Sequence, residues 1–515
     1  MIVACLVIYL LVLIGIGLIG SYYTQKSHEA GNTSWANEFF TGGKAFGPIV
    51  IGLTFAATYA SGGTFVGHPG LGYANGLTWS WAYLMSIWCA FIPFLWIGKR
   101  MYRVGHKISA LSLQDVIEYR YENNKFLAIT LVLLTAFFYM AYIVSQLAAA
   151  ARVMSITMDM SYEVGLTIFA VVLIFYVSIS GMRGVAWADT VQGFIMVTFV
   201  LSIIPMMALH AGGVGAMTSV IQDTKPELLR GGFDGTATAI GAMISFMFVT
   251  HAWQAAGQPA SAQRLIIFSD IKTYRVSMLI AGFLMAFMSG FMVLAGTLGN
   301  AIFPGLEVAD TIIPRLVMTI YPPALAGIAV AAILAGVNTS ANGYMLVVST
   351  NITKDLLIDY VKTDMTEPQV HRWSKIITAL VGVVGLILAY NPPDFIGLLV
   401  LYAWRGLGLG VGIPLVFGCL WKGANKWGAL SSVFVSLSVY LYIHATYGIH
   451  FLGLGMDPST WGLVTGMITM VVVSLATKRT NQKVLDVFFD EDAVDRKREA
   501  KKARQMASSA SVTSA

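Results

Sequence analysis

Charge is in short supply in this chain. Asp, Glu, Lys and Arg make up 11% of its 515 residues, while apolar side chains make up 57%, against about 25% charged in soluble domains. That excludes a string of water-soluble domains. Cysteine is nearly missing: Cys5, Cys89 and Cys419 each stand in a separate apolar run. They have neither paired nor metal-ligand spacing, which argues against disulfides and a structural metal. No acid, histidine or metal cluster of catalytic type converges in the sequence, so the chain reads as neither an enzyme nor the holder of a cofactor. The net charge of +6 sits in particular loops, a pattern of membrane orientation rather than of nucleic-acid binding.

Apolar runs of bilayer-crossing length fill the rest. About 20 apolar residues cross the hydrocarbon as a helix, and such stretches recur at 2–22, 48–73, 77–98, 127–154, 163–180, 186–209, 237–262, 276–303, 322–350, 374–391, 395–420, 427–446 and 460–477. Numbered here as spans 1 to 13, they predict an all-α polytopic membrane protein. The run Ile2 to Ile19 is too long for the apolar part of a signal peptide and no small-residue cleavage pattern follows, so it reads as a retained helix. Basic residues gather in alternate loops, such as Lys99 to Lys107, Lys354 to Lys375 and the tail from Lys478. The positive-inside rule then puts the N-terminus outside and the C-terminus in the cytoplasm, which requires an odd number of spans. Residues 1–477 form one transmembrane domain, with its core over 48–420. Residues 478–515 form a basic cytoplasmic tail, a short helix followed by disorder.

Polar chemistry enters the membrane at a few places. Gly181 to Gln192 sets Arg183, Asp189 and Gln192 between two apolar runs, where polar side chains are costly and usually functional. Span 2 carries Tyr59, Ala60, Ser61, Gly62 and Gly63, a poor helix former, then Gly67-His68-Pro69-Gly70. The expectation is local unwinding that frees backbone carbonyls for a ligand; a close helix contact made by small residues is the alternative. Span 9 carries Asn338, Thr339, Ser340 and Asn342, with the Gly336 carbonyl one turn before Thr339 and Ser340. Neutral oxygens of this kind suit a sodium ion that must also leave, and interhelical hydrogen bonding is the alternative. Span 7 joins Trp253, Gln254, Gly257, Gln258 and Pro259. Two interrupted helices in corresponding halves point to a binding site between inverted repeats of five helices each, starting at spans 2 and 7. Arg405 stands in the apolar run of span 11, either to meet a substrate carboxylate or to snorkel or pair with a structural acid. The glycines from Gly406 to Gly412 follow no strand and are not a nucleotide loop.

Taken together, these residues resemble the sodium:solute symporter family. The resemblance rests on Gly181-Met182-Arg183 with Asp189 and Gln192, on Glu38 to Lys44, on Gly67 to Gly70, on Gly257-Gln258-Pro259 with Arg264, and on Trp421-Lys422 through Gly428-Ala429. It implies a leucine-transporter-type fold of 5+5 inverted repeats with flanking helices. It also implies a sodium site between spans 2 and 9, formed by the carbonyls of Ala57, Ala60 and Gly336 and the hydroxyls of Thr339 and Ser340. Ala57-Thr58-Tyr59, Tyr162 to Gly165 and Pro322-Pro323 are similar to the pantothenate-transporting branch.

The resulting expectation is sodium-coupled symport of a small organic solute, a monocarboxylate of the pantothenate kind, in the inner or plasma membrane by a monomer. Sodium is the coupling ion and leaves past Asp189, while Arg183 holds the adjoining loop. Tyr59, Ser61, His68, Trp253, Gln254, Gln258 and Arg405 are the candidates for contact with the solute. A neutral amino acid such as proline is the alternative solute, and a channel or membrane sensor the alternative class.

Overall fold

The structure, a computed structural model, describes residues 1–29, 47–231, 237–266, 268, 270–361, 363–391 and 396–489. The segment Glu38 to Lys44 and the tail beyond 489 lie outside the described residues. Every regular element among the described residues is helical. Eleven helices are long and apolar enough to cross a membrane, and two of them are double. Tyr162–Ala211 has 50 residues. At 1.5 Å per residue that is more than twice the thickness of a bilayer core, about 30 Å. It is interrupted at Gly181, where φ is 57° and ψ −171°. His68–Lys107 is interrupted in the same way at Gly76, with φ 69° and ψ −151°. Only glycine adopts this conformation without strain. Both glycines fall where the apolar pattern separates two spans, so the thirteen expected spans are recovered among the described residues.

Polar residues at the loop exits start the helices. Asn124, Ser161, Asp270, Asn425 and Asp457 each accept a hydrogen bond from a first-turn N–H, satisfying donors that a helix start leaves unpaired. Between spans 3 and 4, Leu113–Arg120 forms a short helix opened by a Ser112/Asp115 capping box. A further helix, Gln482–Phe489, packs against it, and its Phe488 stacks on Tyr119.

Spans 2 and 7 are both broken, as their composition predicts. Pro48–Tyr59 leaves helical geometry at Ala60, and the chain resumes through a wide turn, Gly63–Gly67, into His68. In span 7, Gln258 is extended between Gln254–Ala256 and Pro259–Arg264. Freed backbone donors find protein partners: Gly62 N–H donates to Gln146 Oε1 at 2.7 Å, and Ala260 N–H to the Tyr139 hydroxyl oxygen at 2.8 Å. Irregular backbone at membrane depth survives only with such replacements. Span 9 runs longer than expected, its helix Pro323–Thr350 continuing as wide turns over Asn351–Val361. It lies at the centre of the molecule, packed against spans 1, 2, 4 and 6.

Gly76 gives a direct test. A Cβ there would stand 2.2 Å from the Leu228 carbonyl oxygen, in a conformation that costs about 1–3 kcal/mol for other residues. Gly76→Ala should lower the melting temperature of the detergent-solubilised protein by several degrees, and an unchanged melting temperature would contradict the kink.

Candidate functional site

Where span 2 breaks, span 9 lies against it. The Thr339 hydroxyl donates to the Ala57 carbonyl at 2.7 Å and contacts the Gly336 carbonyl at 3.1 Å. The Ser340 hydroxyl donates to the Thr58 carbonyl at 2.7 Å. A Cβ on Gly336 would lie 2.4 Å from the Phe65 ring and 3.3 Å from the Ala60 oxygen, so the absence of a side chain there lets the two helices close. Ala57, Ala60, Thr339 and Ser340 are all buried. The result is a compact group of neutral oxygens, two hydroxyls and several carbonyls, without a carboxylate among them. A hydroxyl proton can turn away and present a lone pair, so this set matches what a hard monovalent cation needs.

One step along span 2 lies a buried ion pair. Asp189 and Arg264 are 3.5 Å apart and side-chain exposure is 0% and 2%. Asp189 accepts from the hydroxyls of Thr54 at 2.6 Å and Thr58 at 3.4 Å, and from the Asn342 amide at 3.2 Å. Arg264 donates to Thr58 Oγ1 at 2.6 Å and to the Ala260 carbonyl at 2.8 Å. Thr58 is the shared residue: its carbonyl serves Ser340 and its hydroxyl serves the pair. Spans 2, 6, 7 and 9 therefore meet at one charge pair beside the oxygen group. Gln192 ties the same region to span 1, donating to the Tyr9 hydroxyl at 2.6 Å and accepting from Asn338 at 3.4 Å. Asp189 is sealed from solvent, and the position of Arg264 opposite it was not read from the sequence.

On the other side of the break, Tyr59, Ser61 and His68 line a cavity of about 10 Å3 together with Tyr83, Tyr142, His251 and Trp404, room for one water. The walls are aromatic. His68 stacks on Tyr83 at 3.8 Å, and Tyr59 meets Trp404 edge-on at 5.0 Å. The Tyr59 hydroxyl, His68 Nδ1 and Trp404 Nε1 are buried without a hydrogen-bond partner. An unpaired buried polar atom costs about 1–3 kcal/mol, so a ligand that engages them gains by relieving that cost. His251 Nδ1 lies 3.2 Å from the Phe246 carbonyl. A carbonyl only accepts, so Nδ1 carries the proton and Nε2 is left as an acceptor.

The remaining candidates stand apart from this cavity. Gln254 donates to the Ser459 hydroxyl at 2.9 Å, so it ties span 7 to span 13. Trp253 packs toward Phe417, and Gln258, although buried, is absent from the cavity lining. Arg405 pairs with Asp457, the structural-acid alternative, beside a separate outer cavity of about 550 Å3. Helix periodicity explains these divisions: neighbouring residues on one helix point about 100° apart, so a polar run never faces one place. The aromatic partners on spans 3, 4 and 11 were missed because aromatics in apolar runs look like ordinary packing.

Broken helices meeting a polar helix at mid-membrane define a class of ion-coupled secondary carriers. The family model for the sodium:solute symporter family matches residues 39–436, and the chain belongs to that family. It is 31% identical to the sodium/pantothenate symporter of Haemophilus influenzae, covering 85% of this chain and 89% of that one. It is 26% identical to the high-affinity proline transporter PutP of Bacillus subtilis, covering 92% and 98%. A substrate-bound, outward-open Na+-coupled sialic acid symporter superposes with a TM-score of 0.75 at 18% identity, covering 93% of this chain and 99% of that one. The fold is thus the leucine-transporter type. The chain is a multi-pass membrane symporter for sodium and a small solute, and not an enzyme.

The buried pair can be probed by stability. Arg264→Met alone strands the Asp189 charge and should destabilise by about 3–5 kcal/mol, whereas Arg264→Met with Asp189→Leu should recover much of that loss. A double variant no more stable than the single one, in thermal unfolding, would contradict the pairing.

Proposed function

We propose that this protein couples sodium entry to uptake of a small monocarboxylate of the pantothenate type. The observation that carries the coupling is the oxygen group at the meeting of span 2 and span 9. Sodium is held there by the carbonyls of Ala57, Ala60 and Gly336 and the hydroxyls of Thr339 and Ser340. It bridges the first helix of one repeat to a helix of the other, so its binding biases how the repeats sit against each other. The carboxylate reading draws on the similarity to the Haemophilus influenzae sodium/pantothenate symporter. The inner cavity adds unpartnered polar atoms at Tyr59, His68 and Trp404 and an acceptor at His251, a set suited to a solute with hydroxyl and amide groups.

By the positive-inside rule we assign the C-terminus to the cytoplasm and the N-terminus to the outside, and we take the membrane to be the inner or plasma membrane and the working unit to be a single chain. Asp189 and Arg264 are sealed from solvent, and the cavity beside the break is too small for a solute, so transport requires both to open. Sodium leaves past Asp189 once that pair parts.

The driving force sets a limit. One sodium moving down ~100 mV releases about 2.3 kcal/mol, and a tenfold sodium gradient adds about 1.4 kcal/mol. A monoanion carried one-to-one with sodium moves no net charge, so only the second contribution acts. A current accompanying uptake therefore means more than one sodium per carboxylate.

In proteoliposomes, labelled pantothenate should accumulate only when sodium is present outside. Thr339→Ala should raise the sodium concentration for half-maximal uptake about tenfold, the equivalent of about 1.4 kcal/mol, with helical content unchanged. Uptake indifferent to sodium would refute symport; an unaltered half-saturation would refute the site.

A further inference from the structure

The outer cavity of about 550 Å3 opens beside Asn75, Trp79, Phe246, Leu401, Arg405 and Asp457. Its volume falls in the range of small-molecule sites, roughly 300–1,000 Å3, whereas the inner cavity at about 10 Å3 does not admit a solute. The two share a wall. Leu401 lines both. Trp79 and Phe246 lie 4.8 Å apart, centroid to centroid, and reach inward to His68 at 6.0 Å and to His251 at 4.5 Å.

Among the described residues one cation lines this cavity, Arg405. Its Nη2 pairs with Asp457 Oδ2, while its Nε is buried and makes no hydrogen bond. The guanidinium is therefore only partly used, and it has five donors in a fixed fork. Asp457 is also divided. Its Oδ1 caps span 13, accepting from Ser459 N–H at 2.9 Å and from the Ser459 hydroxyl at 2.6 Å. Oδ2 can thus yield its place to another carboxylate without loss of the helix cap. The oxygen group around Thr339 is a separate place, so a ligand held at Arg405 does not touch it.

We propose that the outer cavity is a first binding station for the solute, in which Arg405 exchanges Asp457 for the carboxylate of the solute. The rest of the solute rests on Trp79 and Phe246, which part to admit it to the inner cavity. This rests on the carboxylate reading above. Charge is recognised at the outer station, and hydroxyl and amide groups at the inner one. Binding at the outer station needs no sodium; passage inward does.

Purified full-length protein in nanodiscs, in sodium-free choline buffer, tests this by calorimetry with pantothenate and its neutral alcohol, pantothenol. Wild type should bind the acid about tenfold more tightly than the alcohol. Arg405→Gln should erase the difference, and Asp457→Asn, which keeps the Oδ1 cap, should tighten acid binding several-fold. In proteoliposomes, Arg405→Gln should raise the KM for pantothenate about tenfold, with kcat and sodium half-saturation within twofold. A preference for the acid that survives Arg405→Gln, or acid binding that disappears without sodium, overturns the proposal. Should Arg405→Gln fail to fold, Asp457→Asn decides alone, and unchanged acid affinity then overturns it. Wild type that binds the acid through Arg405 yet takes none up sinks the symport reading and leaves the station standing. Sodium-driven uptake indifferent to Arg405→Gln does the reverse.

Discussion

Hydrocarbon offers no hydrogen bonds, and the break at Ala60–Gly62 has to be supported by protein alone. That requirement organises the centre of the molecule. Gln146 on span 4 takes the freed Gly62 N–H, and Ser61 takes that of Gly63. Span 9 supplies hydroxyls to the carbonyls of Ala57 and Thr58. The groups that stabilise the broken helix are thus the groups that a cation would use. A site that is to bind a cation and release it would need partners of comparable strength in both conditions, and hydroxyls able to donate to carbonyls would provide them.

The buried pair Asp189–Arg264 extends the same logic. Two charges withdrawn from water are tolerable only while each satisfies the other. Thr54, Thr58 and Asn342 add hydrogen bonds from spans 2 and 9, so separating the pair disturbs the oxygen group through Thr58. The buried pair and the oxygen group are thus physically linked: both are made from the same turn of span 2. The Arg405–Asp457 pair is built differently. Its side chains are part-exposed at 15% and 13%, so parting them costs less than parting Asp189 from Arg264.

Much of the architecture was legible because lipid imposes a simple rule. Each span declares itself as a long apolar run, and Gly76 and Gly181 mark the divisions between neighbours that run together as one helix. The broken helices were legible because Ser-Gly-Gly and Gly-Gln-Pro are poor helix formers. Thr339, Ser340 and Asp189 stood out because polar groups are rare at such depth. The inner cavity was only partly legible. Tyr59, Ser61 and His68 lie on it, but Gln254, Trp253 and Arg405 face elsewhere, and Tyr83, Tyr142 and His251 complete it from other helices.

The amino-acid sequence by itself thus determined the all-helical membrane class, the thirteen spans, the two interruptions and the oxygen-bearing residues, because hydropathy and helix-breaking are local properties of a run. Tertiary structure alone decided which polar residues share a place. It set Arg264 against Asp189, Asp457 against Arg405, and Trp404 against Tyr59 across separations of tens to hundreds of residues. Helix rotation and packing determine those meetings, and they depend on the shapes of many side chains at once rather than on any one stretch.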